Sequence, residues 1–266
     1  MDLFIGFIGA GAMGEAIIQG LLKNQLVKPE QILAYDIRPQ RVEKLKGTFN
    51  ITTAKNREEL VGKSDIIIIA VKPQNLDDAL RDIKVETNKL VISIAAGVTL
   101  NKLSGYLGEV PIVRAMPNTP ALIGEGIAVL SPNKLVKEEV LNQALSIFRS
   151  IGQVLVLPEE QLNAVTALSG SGPAYIYLII EALADGGVKQ GLARPIALQL
   201  AAQTVVGAAK MVQTTKEHPG ILKDRVTSPG GTTIAGLSVL EDRGVRGAVI
   251  QAVEAAANRA KSLSKE

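Results

Sequence analysis

Among its 266 residues the chain has no cysteine, no tryptophan and a single histidine. Without a thiol there is no disulfide, no thiolate metal ligand and no cysteine nucleophile, and the composition fits a reducing cytoplasm. No metal site is expected. With four phenylalanines and four tyrosines, the core must be built from Ala, Val, Ile and Leu, which pack closely between helices. Neither sign of charge dominates: 29 Lys+Arg against 26 Asp+Glu leave +3. The basic residues are dispersed rather than gathered into a stripe, so nucleic acid is not an expected partner. Residues 1–5 carry no basic leader and run straight into an apolar strand pattern, which argues against a signal peptide. The apolar stretch 162–180 is interrupted by Ser169-Gly170-Ser171-Gly172-Pro173. It reads as two buried segments, and no membrane is expected as a partner.

What is there divides into two halves. Up to about residue 155, short β-branched runs at 3–8, 31–36, 66–70, 90–94 and 112–114 alternate with helical patterns, as a parallel sheet wrapped by helices requires. From residue 158 onward, stretches at 158–167, 174–190, 195–212 and 233–261 read as Ala-rich helices with no strand between them. The expected architecture is therefore α/β: a Rossmann-type parallel-sheet domain over 1–157, then an all-α domain over 158–266. Residues 197–212 are apolar nearly all round, and one small helical domain cannot cover such a helix. A partner subunit can.

Gly9-Ala10-Gly11-Ala12-Met13-Gly14 follows the first strand and opens a helix, the setting in which G-x-G-x-x-G binds a dinucleotide. Gly9 permits the turn, Gly11 lets the backbone approach the pyrophosphate, Gly14 allows close helix–strand packing, and the helix start offers free amides. Asp36 closes the second strand about 20 residues further on, where an acid accepts from the adenosine ribose. Arg38 and Arg41 stand beside it and are suited to a 2′-phosphate. The choice between NAD(H) and NADP(H) stays open.

Other loops at strand ends complete the candidate site. Asn56 precedes Glu59 by three residues and reads first as an N-cap in a capping box. In Val71-Lys72-Pro73 the proline stiffens the turn, and Lys72 either faces a phosphate or ribose or is simply solvated. In Met116-Pro117-Asn118-Thr119-Pro120 two prolines fix the backbone around one amide side chain suited to the nicotinamide. In the second half, Thr227-Ser228-Pro229-Gly230-Gly231-Thr232-Thr233 leads into a helix; glycine amides and hydroxyls at a helix start make an anion pocket, which a carboxylate fits.

These stretches, with Ser93-Ile94-Ala95-Ala96-Gly97-Val98, Arg114-Ala115 and Ser169-Gly170-Ser171-Gly172-Pro173-Ala174-Tyr175, follow one another in the order of a known family. The chain resembles pyrroline-5-carboxylate reductase over nearly its whole length. The resemblance implies reduction of 1-pyrroline-5-carboxylate to L-proline by NAD(P)H, in a homodimer interleaved through the helical domain or a higher oligomer of such dimers. It further implies that the amides of Gly231, Thr232 and Thr233 hold the substrate carboxylate with Ser228 nearby, and that the Thr233 hydroxyl lies near the ring nitrogen. By the same carry-over Asn56, Lys72, Ala96 and Asn118 line the cofactor.

Two rival readings are weaker. A β-hydroxyacid dehydrogenase needs a lysine base in the helix after the glycine-rich loop, and here none follows Ser169–Pro173 until Lys189. A non-catalytic dinucleotide sensor would have no use for the Pro229–Thr233 anion pocket. The only histidine, His218, lies between Glu217 and Pro219 in a stretch that reads as surface, so no dedicated acid is visible.

Overall fold

Four consecutive isoleucines, Ile66–Ile69, present no polar face, so the strand they form has to be covered on both sides. In the computed structural model, which describes residue 1 and residues 3–264, that strand lies near the middle of a sheet. Among the described residues the sheet has eight strands in the order β3-β2-β1-β4-β5-β6-β7-β8. They are β1 (Ile5–Ile8), β2 (Ile32–Tyr35), β3 (Thr52–Thr53), β4 (Ile66–Ile69), β5 (Leu90–Ser93), β6 (Ile112–Met116), β7 (Gly126–Pro132) and β8 (Gly152–Val156). β1 pairs in parallel with β2 on one side and β4 on the other. The chain reverses its direction of winding there, so the switch point lies between β1 and β4. Only the β6–β7 pairing, Val113 opposite Pro132 to Met116 opposite Val129, is antiparallel.

Alternate residues feed two cores. Ile66 and Ile68 join Phe7, Ile17, Leu21 and Phe148 on one face, whereas Ile67 and Ile69 join Ile8, Leu60 and Leu103 on the other. Each of the four isoleucines of β4 is at most 1% exposed, and burying such a side chain is favourable by about 1.5–3 kcal/mol. The covering helices are α1 (Ala12–Lys23), α2 (Pro39–Phe49), α3 (Arg57–Lys63), α4 (Leu76–Leu80), α5 (Leu100–Leu107) and α6 (Glu138–Arg149).

The five expected strands are all present. β3, β7 and β8 were not expected: β3 is two residues long, and β7 and β8 lie beyond the alternating βα pattern that signals a parallel sheet.

By contact the chain divides into two compact units, Met1–Ser171 with the residues from Ala256 onward, and Gly172–Ala255. The first unit extends past residue 158 because Leu162 and Ala167 are fully buried in it. They lie on α7 (Leu162–Val165) and on a π-helical turn, Thr166–Gly170, closed by a hydrogen bond from the Ser171 amide to the Thr166 carbonyl at 2.8 Å.

The expectation of two buried segments separated by a break at Ser169–Pro173 is therefore corrected. The break is a widened helical turn, and beyond it Tyr177 and Leu178 are exposed. Two helical runs, Glu159–Lys189 and Arg194–Thr215, are long and apolar enough to cross a membrane by length and composition, and little of either is buried.

The second unit contains α8 (Gly172–Lys189), α9 (Arg194–Thr215), α10 (Pro219–Arg225), α11 (Thr232–Asp242) and the first part of α12 (Val245–Leu263). α8 and α9 pack through Ala184, Ala197 and Ala201, flanked by Ile180 and Val188. Gly187 permits that approach, since a Cβ there would come within 3.1 Å of the Ala197 methyl. Little else in this unit is buried: Leu200, Met211, Leu240 and Ile250 are each half exposed or more. The single helix expected over 233–261 is two, because Gly244 takes φ +68° and ends α11.

Candidate active site

The turn after β1 is shaped by what a side chain would strike. Gly9 has φ +105°, and a Cβ there would lie 2.6 Å from the Ala70 carbonyl oxygen at the end of β4. At Gly14 a Cβ would sit 3.1 Å from the Gly9 oxygen. Gly11 differs: nothing lies within 4 Å of the position its Cβ would take. It is the N-cap of α1 with φ −79° and ψ 176°, and no side chain caps the helix. The first amides of α1, including those of Ala12 and Met13, are thus left for a ligand, beside open space. This cradle fits a pyrophosphate.

Asp36 stands just past β2 with its side chain 7% exposed. Oδ2 accepts from the Ala10 amide at 2.9 Å, and Oδ1 from the Arg38 amide at 2.9 Å. The Arg38 and Arg41 guanidinium groups lie 3.6 and 3.9 Å away. The carboxylate thus ties β2 to the glycine turn while keeping a lone pair on each oxygen for a further donor.

The other strand-end residues fall along the carboxyl edge of the same sheet. Asn56 Oδ1 accepts from the Glu59 amide at 2.8 Å, so it is the N-cap of α3; the returning bond reaches Lys55 rather than Asn56. The Lys63 ammonium and the Lys55 amide hold the Glu59 carboxyl below its usual range. Val71 is half-buried, Lys72 and Pro73 are exposed beyond β4, and Ala96 is exposed beyond β5. Asn118, beyond β6, is buried; its Oδ1 accepts from the Ile127 amide at 2.9 Å and its Nδ2 donates to the Ser169 carbonyl at 3.1 Å.

One pair escaped the sequence reading. Arg114 on β6 is buried, and its Nη1 donates to Glu159 Oε1 at 2.9 Å; the same oxygen accepts from the Leu100 amide at 2.7 Å. A charged residue inside a strand pattern was the signal. Nothing in the sequence identifies a partner 45 residues away.

In the second unit the loop before α11 repeats the logic of the first. Gly230 has φ +66°, and Gly231 caps α11 with φ −79° and ψ 177° without any side-chain cap. The Gly231 amide, however, donates to the Ser228 carbonyl at 3.1 Å. The open amides are those of Thr232 and Thr233. A Cβ on Gly231 would lie 2.4 Å from Ser228 Oγ, so the glycine makes room for that hydroxyl. His218 is exposed and caps α10, its Nδ1 accepting from the Gly220 amide at 3.1 Å. Among the described residues no cluster of His, Asp and Glu is arranged to hold a metal.

A parallel sheet with its switch point beside β1, a glycine turn leaving a helix start open, and an acid after β2 define a Rossmann-type, dinucleotide-dependent oxidoreductase. The model of the "NADP oxidoreductase coenzyme F420-dependent" family matches residues 4–97, and that of "Pyrroline-5-carboxylate reductase dimerisation" matches residues 159–263. The chain is 47% identical to the pyrroline-5-carboxylate reductase of Escherichia coli and 45% to that of Synechocystis sp., each alignment covering 100% of both chains. The solved structure of a pyrroline-5-carboxylate reductase from Coxiella burnetii superposes with a TM-score of 0.93 at 39% identity, covering 100% of both chains. The Plasmodium falciparum pyrroline carboxylate reductase, solved with NADP bound, superposes at 0.90 and 37%, covering 99% of this chain and 98% of that one. The chain belongs to the pyrroline-5-carboxylate reductase family.

Proposed function

We propose that the chain reduces 1-pyrroline-5-carboxylate to L-proline with NADPH or NADH, the last step of proline synthesis. The observation that carries this reading is a full-length likeness in sequence and fold to enzymes of that name, with an open helix start in each unit where a dinucleotide and a carboxylate are expected.

The bound dinucleotide supplies a hydride to the imine carbon. The remaining tasks belong to the protein. Gly9, Gly11, Ala12, Met13 and Gly14 receive the pyrophosphate, Asp36 and Arg38 the adenosine ribose, and Asn56, Val71, Lys72, Pro73 and Ala96 line the rest of the cofactor; Asn118, its amide bonded at both ends within the protein, supports that lining from the loop after β6. Ser228 and the amides of Thr232 and Thr233 take the substrate carboxylate, Gly231 keeps the approach open, and the Thr233 hydroxyl orients the ring nitrogen. His218 is spent as a helix cap on the surface and is not the acid; an imine already protonated in solution needs none. Catalysis then rests on positioning.

The working form is a homodimer through the helical unit, or a higher oligomer of such dimers, with 1–157 as the dinucleotide domain and 158–266 as the substrate and dimerisation domain. The dimerisation-family match and the exposed faces of α8, α9 and α12 support this. In that form a second copy covers the two apolar helical runs, and the enzyme works in the cytoplasm without membrane or nucleic acid. The test is oxidation of NADPH or NADH on adding racemic pyrroline-5-carboxylate; absence of turnover with both cofactors overturns the reading.

A further inference from the structure

The Ser169–Pro173 motif has no task in the reading above, yet its first two residues close the one π-helical turn among the described residues, Thr166–Gly170. Such turns are rare and cluster at functional positions. This one lies against the loop following β6, at the carboxyl edge of the sheet, where ligands of doubly wound folds bind. Two contacts fix it there. Asn118 Nδ2 donates to the Ser169 carbonyl at 3.1 Å, while its Oδ1 accepts from the Ile127 amide at 2.9 Å. The Met116 methyl packs over Gly170 so closely that a Cβ there would lie 2.6 Å from it.

With both ends of its amide bonded within the protein and only 9% of the residue exposed, Asn118 is built to hold rather than to touch. β6 lies beyond β4 and β5, on the side of the switch point away from β2, and therefore at the nicotinamide end of the cleft. We infer that Asn118 is a positioning residue: it clamps the π turn Thr166–Gly170 to the loop after β6, and turnover depends on that clamp more than dinucleotide affinity does. The inference rests on the reductase reading for its activity arm only.

Asn118→Asp tests it, because the shape is kept while a carboxylate oxygen replaces the donor facing the Ser169 carbonyl. In the variant without ligands, amide hydrogen exchange over residues 166–171 is expected to speed up. kcat for imine reduction should fall by about 10- to 100-fold, the scale on which small misplacements act, while NADPH affinity from fluorescence titration stays at the wild-type value.

Gly170→Ala disturbs the same turn from the Met116 side and should lower kcat in the same way; adding Met116→Ala should restore it. This keeps the idea testable if Asn118→Asp folds poorly. Unchanged exchange over 166–171 overturns the clamp. Unchanged kcat overturns its importance, and NADPH affinity lost in step with kcat makes Asn118 a cofactor ligand instead. A wild-type protein that turns over neither cofactor defeats the reductase reading and leaves the exchange result standing.

Discussion

Asp36 carries two tasks that pull in different directions. It accepts the Ala10 amide and so braces the glycine turn, and, with Arg38 and Arg41 beside it, it is the residue proposed to meet the adenosine ribose. Replacing it by serine removes an acceptor for ribose hydroxyls and releases both guanidinium groups toward a 2′-phosphate. The kcat/KM ratio of NADH over NADPH should therefore fall in Asp36→Ser. The unfolding free energy should also fall by about 1.5–3 kcal/mol for a lost charge-assisted bond. A stability loss with an unchanged ratio would confine Asp36 to the turn.

In the second unit the corresponding pair is Gly231 and Thr233. Thr233→Val keeps the amide and the shape, so it should cost about 0.5–1.5 kcal/mol of transition-state binding, roughly twice that if the partner is charged. Gly231→Val meets Ser228 Oγ and obstructs the approach to the helix start, and its kcat/KM should drop far further. Both variants should bind NADPH as the wild type does in fluorescence titration; a Gly231→Val that loses NADPH but keeps a proline-like carboxylate would reverse the two assignments.

At the scale of elements, Glu159 joins three pieces: the start of α5, strand β6 and the approach to α7. Glu159→Ala strands the Arg114 charge in the core, and breaking such a pair costs about 3–5 kcal/mol. Arg114→Met combined with Glu159→Leu should recover most of that in urea unfolding, because the desolvated charge is gone; a double variant as unstable as the single one would refute this.

These elements were unequally legible. The isoleucine run of β4 and the glycines after β1 could be read directly, since burial on two faces and close backbone approach each restrict the residue types allowed. The end of α11 at Gly244 was legible in principle, because Asp242-Arg243-Gly244 is a helix stop. The Arg114–Glu159 pairing, the occupied Gly231 amide and the Asn118 contacts were not, since each depends on which distant segments meet.

For the molecule as a whole, the second unit has a core of three buried alanines and a surface bearing Leu200, Met211, Leu240 and Ile250. A single small domain this poor in core is not expected to stand alone. Sedimentation at decreasing concentration should show a dimer persisting until structure and activity are lost together; a folded, active monomer would overturn this.

The thin alanine seam between α8 and α9 also sets how the protein must be born. If helices acquire most of their cover only on meeting another chain, the last step of folding is an encounter, and its rate scales with concentration. Sticky monomers collide unproductively by the same contacts. Recovery of activity after dilution from urea should therefore pass through a maximum as protein concentration is raised, with slow, incomplete pairing below it and aggregation above. A yield independent of concentration would mean that each chain finishes folding before it finds its mate.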